Sequence, residues 1–212
     1  MAPNLLGIRI AHRAMRGDTR RLAVLMNDIV NGRQDAGPAR REAIGTFVTR
    51  LCAGIHHHHR AEDDVLWPVI VRSAGAEVDL SDLTDDHTQL DPLLDEVIRD
   101  AGAFRDDPPA AIRLAKNLGA LADLLDEHIE EEERLLFPVI AAHVSEEDWQ
   151  EVENAVRKGG DIGFDLPRIG QHARAEELAE LRRLAGPVLA LMLTLTRRGH
   201  RRRQRLIFGA AA

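Results

Sequence analysis

An apolar helical seam interrupted twice by the same polar pair constrains this chain more than any other feature. Read as a helix, one stretch has the seam Val48, Leu51, Ile55, His58, Glu62, Val65, Val69. A second reads Leu118, Leu121, Leu125, His128, Glu132, Leu135, Val139. Steps of three and four residues keep side chains on one helix face. The pairs recur at one interval, since 128 − 58 and 132 − 62 both give 70. Imidazoles and carboxylates turned into an apolar core are costly unless something compensates them. A pair of cations would.

Two further seams carry one histidine each. The first is Leu5, Ile8, His12, Met15, Thr19, Leu22, Met26, Ile29; the other is Leu80, Leu83, His87, Leu90, Leu94, Val97, Ala101. The patterning predicts helices over residues 4–31, 39–73, 81–101 and 109–143. Asn31, Gly32 and the Gly37-Pro38 pair divide the first two, with Pro38 at a first-turn position. A turn is expected around Gly75 and a loop over 102–109. Repeated helical hairpins stack as equivalent units. The fold class expected is therefore all-α: an up-down-up-down four-helix bundle of two pseudo-twofold-related hairpins. Residues 1–144 form the bundle in this reading, and 145–212 a helical extension packing on it or capping it. Ser145 and Asp148 resemble a capping box opening a helix with Trp149, Val152 and Val156 on one face. Gly159, Gly160 and Gly163 form a break. Residues 167–196 read as one or two helices interrupted at Gly186-Pro187.

Donor counting gives the site its chemistry. Four inward histidines and two inward glutamates at one level supply two ions with two imidazoles each. Each glutamate can bridge both ions. A solvent-derived oxo or hydroxo bridge adds a donor, and a position stays open for a small ligand. Imidazole plus carboxylate suits iron, manganese or zinc, and the lack of sulfur ligands argues against copper(I) and iron–sulfur clusters.

These residues resemble the hemerythrin-like family, the HHE cation-binding proteins, in its His, His-x3-Glu, His, His-x3-Glu form. The match is His12, His58-x3-Glu62, His87 and His128-x3-Glu132, with Trp67-Pro68 and Phe137-Pro138 matching the aromatic-Pro pair after each motif. It covers residues 5–142. The resemblance implies a four-helix bundle holding two non-haem iron ions, oxo- or hydroxo-bridged, ahead of manganese or zinc. Family members bind dioxygen reversibly, sense oxygen or iron, or handle peroxide and nitric oxide. Two departures bear on function. Oxygen carriers use His-x3-His on the third helix, and Asp91 stands here at the second of those positions, off the seam. Carriers end on aspartate, and this chain has Glu132. More open coordination favours redox turnover or sensing over transport. Peroxide or nitric oxide turnover by a di-iron oxidoreductase is the first expectation. An oxygen- or iron-sensing module is the second, and a structural or zinc-binding bundle the third.

Other residues are assigned more modest roles. Of the tract His56–His59, only His59, one turn after Ile55, can swing toward the site as an extra ligand; His56 and His57 flank it or face solvent. His143, His172 and His200 are expected on the surface. Asp85, Asp86, Asp126 and Glu127 lie near enough to orient ligand imidazoles, or form a solvated acidic face. Cys52 reads as an inert core thiol. Leu184, Val188, Leu189, Leu191, Met192 and Leu195 are expected to cap the bundle, line a tunnel or make a homodimer contact. The arginine run from Arg197 to Arg205 reads as a solubilising tail. A formal charge of −7 argues against a nucleic-acid partner. The longest apolar run, 184–195, falls short of the roughly 20 residues that span a bilayer. A single cysteine and the lack of a signal-peptide pattern fit a cytoplasmic location.

Overall fold

The computed structural model describes residues 2–75 and 78–209, and all its regular structure is helical. Four long rods form the bundle: α1 (Leu6–Val30), α2 (Pro38–Ala61) continued by α3 (Trp67–Ala74), α4 (Ser81–Asp106) and α5 (Ala111–His143). α1 packs chiefly on α5, α2 on α4, and α4 on α5. Short connections between successive rods make neighbours antiparallel, giving the up-down-up-down arrangement. Pro38 is the first residue of α2, where its missing N–H costs no bond. Gly32 and Gly75 take positive φ (68° and 85°) at the ends of α1 and α3. The rest of the expected Gly75 turn, at Ala76 and Glu77, lies outside the described residues. The expected loop over 102–109 is largely helix, because α4 runs on to Asp106 and buries Phe104.

The second rod is not one uniform helix. Between α2 and α3, Glu62–Leu66 forms a single π turn, in which the Trp67 amide donates to the Glu62 carbonyl five residues back. Pro68 has no N–H for the Asp64 carbonyl and its ring crowds that group, which loosens the turn. The expected seam also shifts after each glutamate. Val65 and Leu135 are only partly buried, and Leu66 and Leu136 take their place in the core. A seven-residue repeat drifts by about 20° per heptad on a straight helix, so a seam four turns long walks off its face.

Three more helices follow: α6 (Glu146–Gly159), α7 (Ile162–His172) and α8 (Ala175–Phe208). The Ser145 hydroxyl accepts from the Asp148 amide at 3.1 Å, capping α6. Trp149 and Val152 are buried, but Val156 is exposed. Pro167 lies inside α7 rather than opening it, and the glycine break shrinks to two residues. α8 bends at Gly186, φ 67°. These helices dock on the bundle through polar as well as apolar contacts. Buried Asp18 of α1 takes Arg168 at 2.6 Å and His172 at 3.1 Å, while Phe164 packs edge-on against Phe47. Glu177 grips Arg13 at 2.7 and 2.9 Å.

Two surface expectations are thereby corrected. His200 is buried and bonded to Gln171 at 2.6 Å, and His172 is engaged by Asp18. His143 is exposed as expected. The arginine run is no loose tail. It continues α8, whose inner face buries His200, Gln204 and Ile207, and the Ile207 carbonyl accepts from Arg40 at 3.0 Å. The arginines alternate with core contacts at helical spacing, so most point to solvent while the helix itself is anchored. Leu184, Leu191 and Leu195 remain exposed; the side chain of Val188 lies outside the described part of the structure.

Candidate metal centre

The six expected donors converge. Each rod contributes: His12 from the second turn of α1, His58 and Glu62 from the last turn of α2 and its π turn, His87 from the second turn of α4, His128 and Glu132 from the middle of α5. One apolar layer, with Met15, Ile55, Leu90 and Leu125, lies on one side. A second, with Leu66, Leu83 and Leu136, lies on the other. The polar level is sealed between them, and every one of the six residues is buried.

The histidines meet in two pairs. His12 Nε2 lies 3.2 Å from His58 Nε2, and His87 Nε2 lies 3.3 Å from His128 Nε2. Adjacent imidazole ligands on one ion, with bonds of about 2.0–2.1 Å, hold their nitrogens about 3.0–3.4 Å apart. The spacing fits one ion per pair. Glu62 straddles the pairs: Oε1 is 3.0 Å from His58 Nε2 and Oε2 is 3.5 Å from His87 Nε2. Glu132 Oε2 lies 3.5 Å from His12 Nε2. The donor atoms of His12, His58, Glu62 and Glu132 fall within 4.8 Å of one another, as do those of His59, His87 and His128. None of the four carboxylate oxygens has a hydrogen-bond donor among the described residues. Buried, unpaired oxygens of this kind are what divalent or trivalent cations neutralise.

Titration behaviour agrees with a cation site. Burial, and then the Glu132 charge, hold Glu62 well above the ordinary carboxylate range. Burial also raises Glu132. His58 is pushed well down by burial and by the surrounding imidazoles, and His128 is pushed down to about 3 for the same reasons. Both therefore keep a free lone pair at neutral pH.

Carboxylates behind the ring fix which nitrogen faces inward. His12 Nδ1 donates to Glu133 at 3.0 Å, His87 Nδ1 to Asp63 at 3.0 Å and His128 Nδ1 to Asp86 at 3.1 Å. A carboxylate only accepts, so Nδ1 carries the proton and Nε2 presents its lone pair. Of the four acidic residues expected in this role, only Asp86 fills it. Asp126 is taken by Arg16 and Arg20 instead. Asp63 and Glu133 were missed, although a signal was present: each directly follows a seam glutamate, and 133 − 63 is again 70. The aromatic-Pro pairs also acquire a task. Phe137 stacks on His12 (centroids 6.0 Å, 13°) and Trp67 on His87 (5.9 Å, 13°).

A family model described as the hemerythrin HHE cation binding domain matches residues 7–158. The chain belongs to the hemerythrin family. The matched span runs from α1 to the end of α6 and includes all six convergent residues. No curated protein and no solved structure gives a significant match. Within this hemerythrin-family bundle the histidine tract divides by direction. His56 reaches Asp95 at 3.2 Å and His57 the Val156 carbonyl at 2.7 Å, both away from the centre. His59 is fully buried beside His87. Cys52 is sealed in the apolar core, its thiol pushed up to about 12 by burial, which suits an inert packing role.

Proposed function

We propose that residues 1–144 hold two non-haem iron ions through His12, His58, Glu62, His87, His128 and Glu132, and that residues 145–212 pack on them as an extension. A small oxidant, whether peroxide, dioxygen or nitric oxide, binds at an open iron position and is turned over in stress defence within the cytoplasm. The observation that carries this reading is Glu62, whose two oxygens face two histidine pairs and have no hydrogen-bond donor among the described residues. When bound, the iron pair supplies electron transfer and Lewis acidity at the oxidant.

The chain's own residues do the rest. Glu133, Asp63 and Asp86 orient the imidazoles and raise their basicity. The apolar layers on either side exclude water and strengthen charge interactions at the site. No helix among the described residues is long and apolar enough to cross a membrane. Iron-loaded protein given hydrogen peroxide should release oxygen faster than an equal concentration of free iron, followed with an oxygen electrode. A rate no higher than that of free iron removes the turnover reading.

One observation favours sensing as a second reading. Arg13, next to His12, is held by Glu177 and by the His172 carbonyl at 2.9 Å, so the ligand helix is tied to the C-terminal helices. If occupancy is relayed there, amides in 161–212 exchange hydrogen more slowly in the iron-loaded protein than in the metal-free one. Equal exchange in that segment ends the sensing reading.

A further inference from the structure

We propose that His59 is a third imidazole ligand of the ion held by His87 and His128, so that the two metal positions are chemically unlike. The inference rests on the di-metal reading above and adds to it an asymmetry outside the sixfold motif.

Three observations converge on His59. Its side chain is fully buried at the level of the centre. Its Nδ1 donates to Asp91 at 2.8 Å, which leaves Nε2 as a bare lone pair, and that atom has no hydrogen-bond donor among the described residues. A buried acceptor without a partner costs on the order of 1–3 kcal/mol. Lastly, its ring lies face to face with His87 (centroids 4.2 Å, 14°) and edge-on to His128 (5.6 Å, 80°). Ring nitrogens of the three residues lie within 4.8 Å of one another.

The neighbouring histidines show that the placement is particular. His56, His57 and His59 share one tract, yet among the described residues only His59 of the three has a buried ring nitrogen without a hydrogen-bond partner. The Asp91 contact repeats the device seen at His12, His87 and His128, in which a partly exposed carboxylate holds the Nδ1 proton. It orients a ligand ring. A core histidine present only for packing has no need of that arrangement while leaving its other nitrogen unsatisfied. The ion at His12 and His58 has no such third imidazole. One position is thus closed by three histidines, and the other keeps more room for an exogenous ligand.

The test uses the iron-loaded full chain and Mössbauer spectroscopy with chelator competition. The unaltered protein should show two quadrupole doublets of equal area. In His59→Ala one doublet should change, and one iron should be lost to chelator by more than the roughly 10–100-fold that removing an outer hydrogen-bond partner costs. Added imidazole should restore the original doublet. His59→Gln, which keeps bulk and polarity, should show the same spectral change if alanine impairs folding. His57→Ala, at a side chain that touches the Val156 carbonyl instead, should alter neither measurement. A single doublet from the unaltered protein, or both doublets intact in His59→Ala and His59→Gln, overturns the assignment while leaving the di-iron reading standing. Failure of the unaltered protein to hold two irons overturns that reading instead.

Discussion

Replacing Glu62 with leucine is expected to cost the metal centre at least one of its two ions and, at the same time, to raise the stability of the metal-free fold. The two effects have one cause. Glu62 interrupts a seam of buried aliphatic residues, between Ile55 and Leu66, and its oxygens have no donor. With cations present, it is the group that faces both histidine pairs. Without them it is a buried carboxyl group set against the Glu132 charge, with no hydrogen-bond donor among the described residues. Exchanging a buried charged group for an apolar one of similar size is commonly neutral or stabilising, by about 1–4 kcal/mol. In a chain of this size each kcal/mol moves the melting temperature by roughly 2–4 °C. Elemental analysis of Glu62→Leu should find at most one iron per chain, with the metal-free variant melting no lower than the metal-free parent. Two irons retained in the variant would contradict the bridging role. A clear drop in the melting temperature of the metal-free form would contradict the account of its cost. His143→Ala, on an exposed position, should change neither quantity.

Stripping both irons from the unaltered protein should lower its melting temperature by roughly 16–32 °C. A ligand at about 1,000 times its dissociation constant stabilises by about 4 kcal/mol, and each ion counts in this way. The size of the drop follows from that linkage and the conversion above. The pH dependence of the stripped form gives an independent check. Burial raises Glu62 above its unfolded value. A carboxyl group raised on folding contributes stability that is fully present below its unfolded pKa, about 4.5 here, and lost as pH climbs toward the folded value. His58 and His128, pushed down on folding, act the other way below their unfolded value of 6.5, so the stripped protein should lose stability as pH rises above that value, and the loaded protein should not, because the cations replace the proton. Calorimetry at several pH values measures both. Equal melting temperatures for loaded and stripped protein would show that the cations contribute nothing to the fold.

Much of the centre was legible because helical periodicity is a property of one chain segment at a time. His12, His58, Glu62, His87, His128 and Glu132 each sit in phase with their own apolar neighbours, so their inward direction required no knowledge of a partner helix. The interval of 70 between the two His-x3-Glu pairs gave the internal symmetry, and with it the level at which the hairpins meet. The all-α bundle followed from the same four seams. Less was legible where phase drifts. Val65 and Leu135 fell off the face they were assigned to because a heptad step is not quite two turns, and the π turn at Glu62 has no counterpart before the matching Pro138. Acidic residues near the ligands were too numerous to sort by sequence distance. Asp126 and Glu133 stand seven residues apart on one helix, yet one meets Arg16 and Arg20 of α1 and the other His12.

The sequence by itself determined that this hemerythrin-family chain forms a helical bundle and that four imidazoles and two carboxylates turn inward at one depth. Repetition within a helix encodes both. Tertiary structure alone decided which histidine faces which, and that the arginine-rich end is a docked helix anchored by His200, Gln204 and Ile207. Those outcomes depend on the rotation of one helix against another and on packing between segments far apart in the chain. Neither leaves a period in the order of residues.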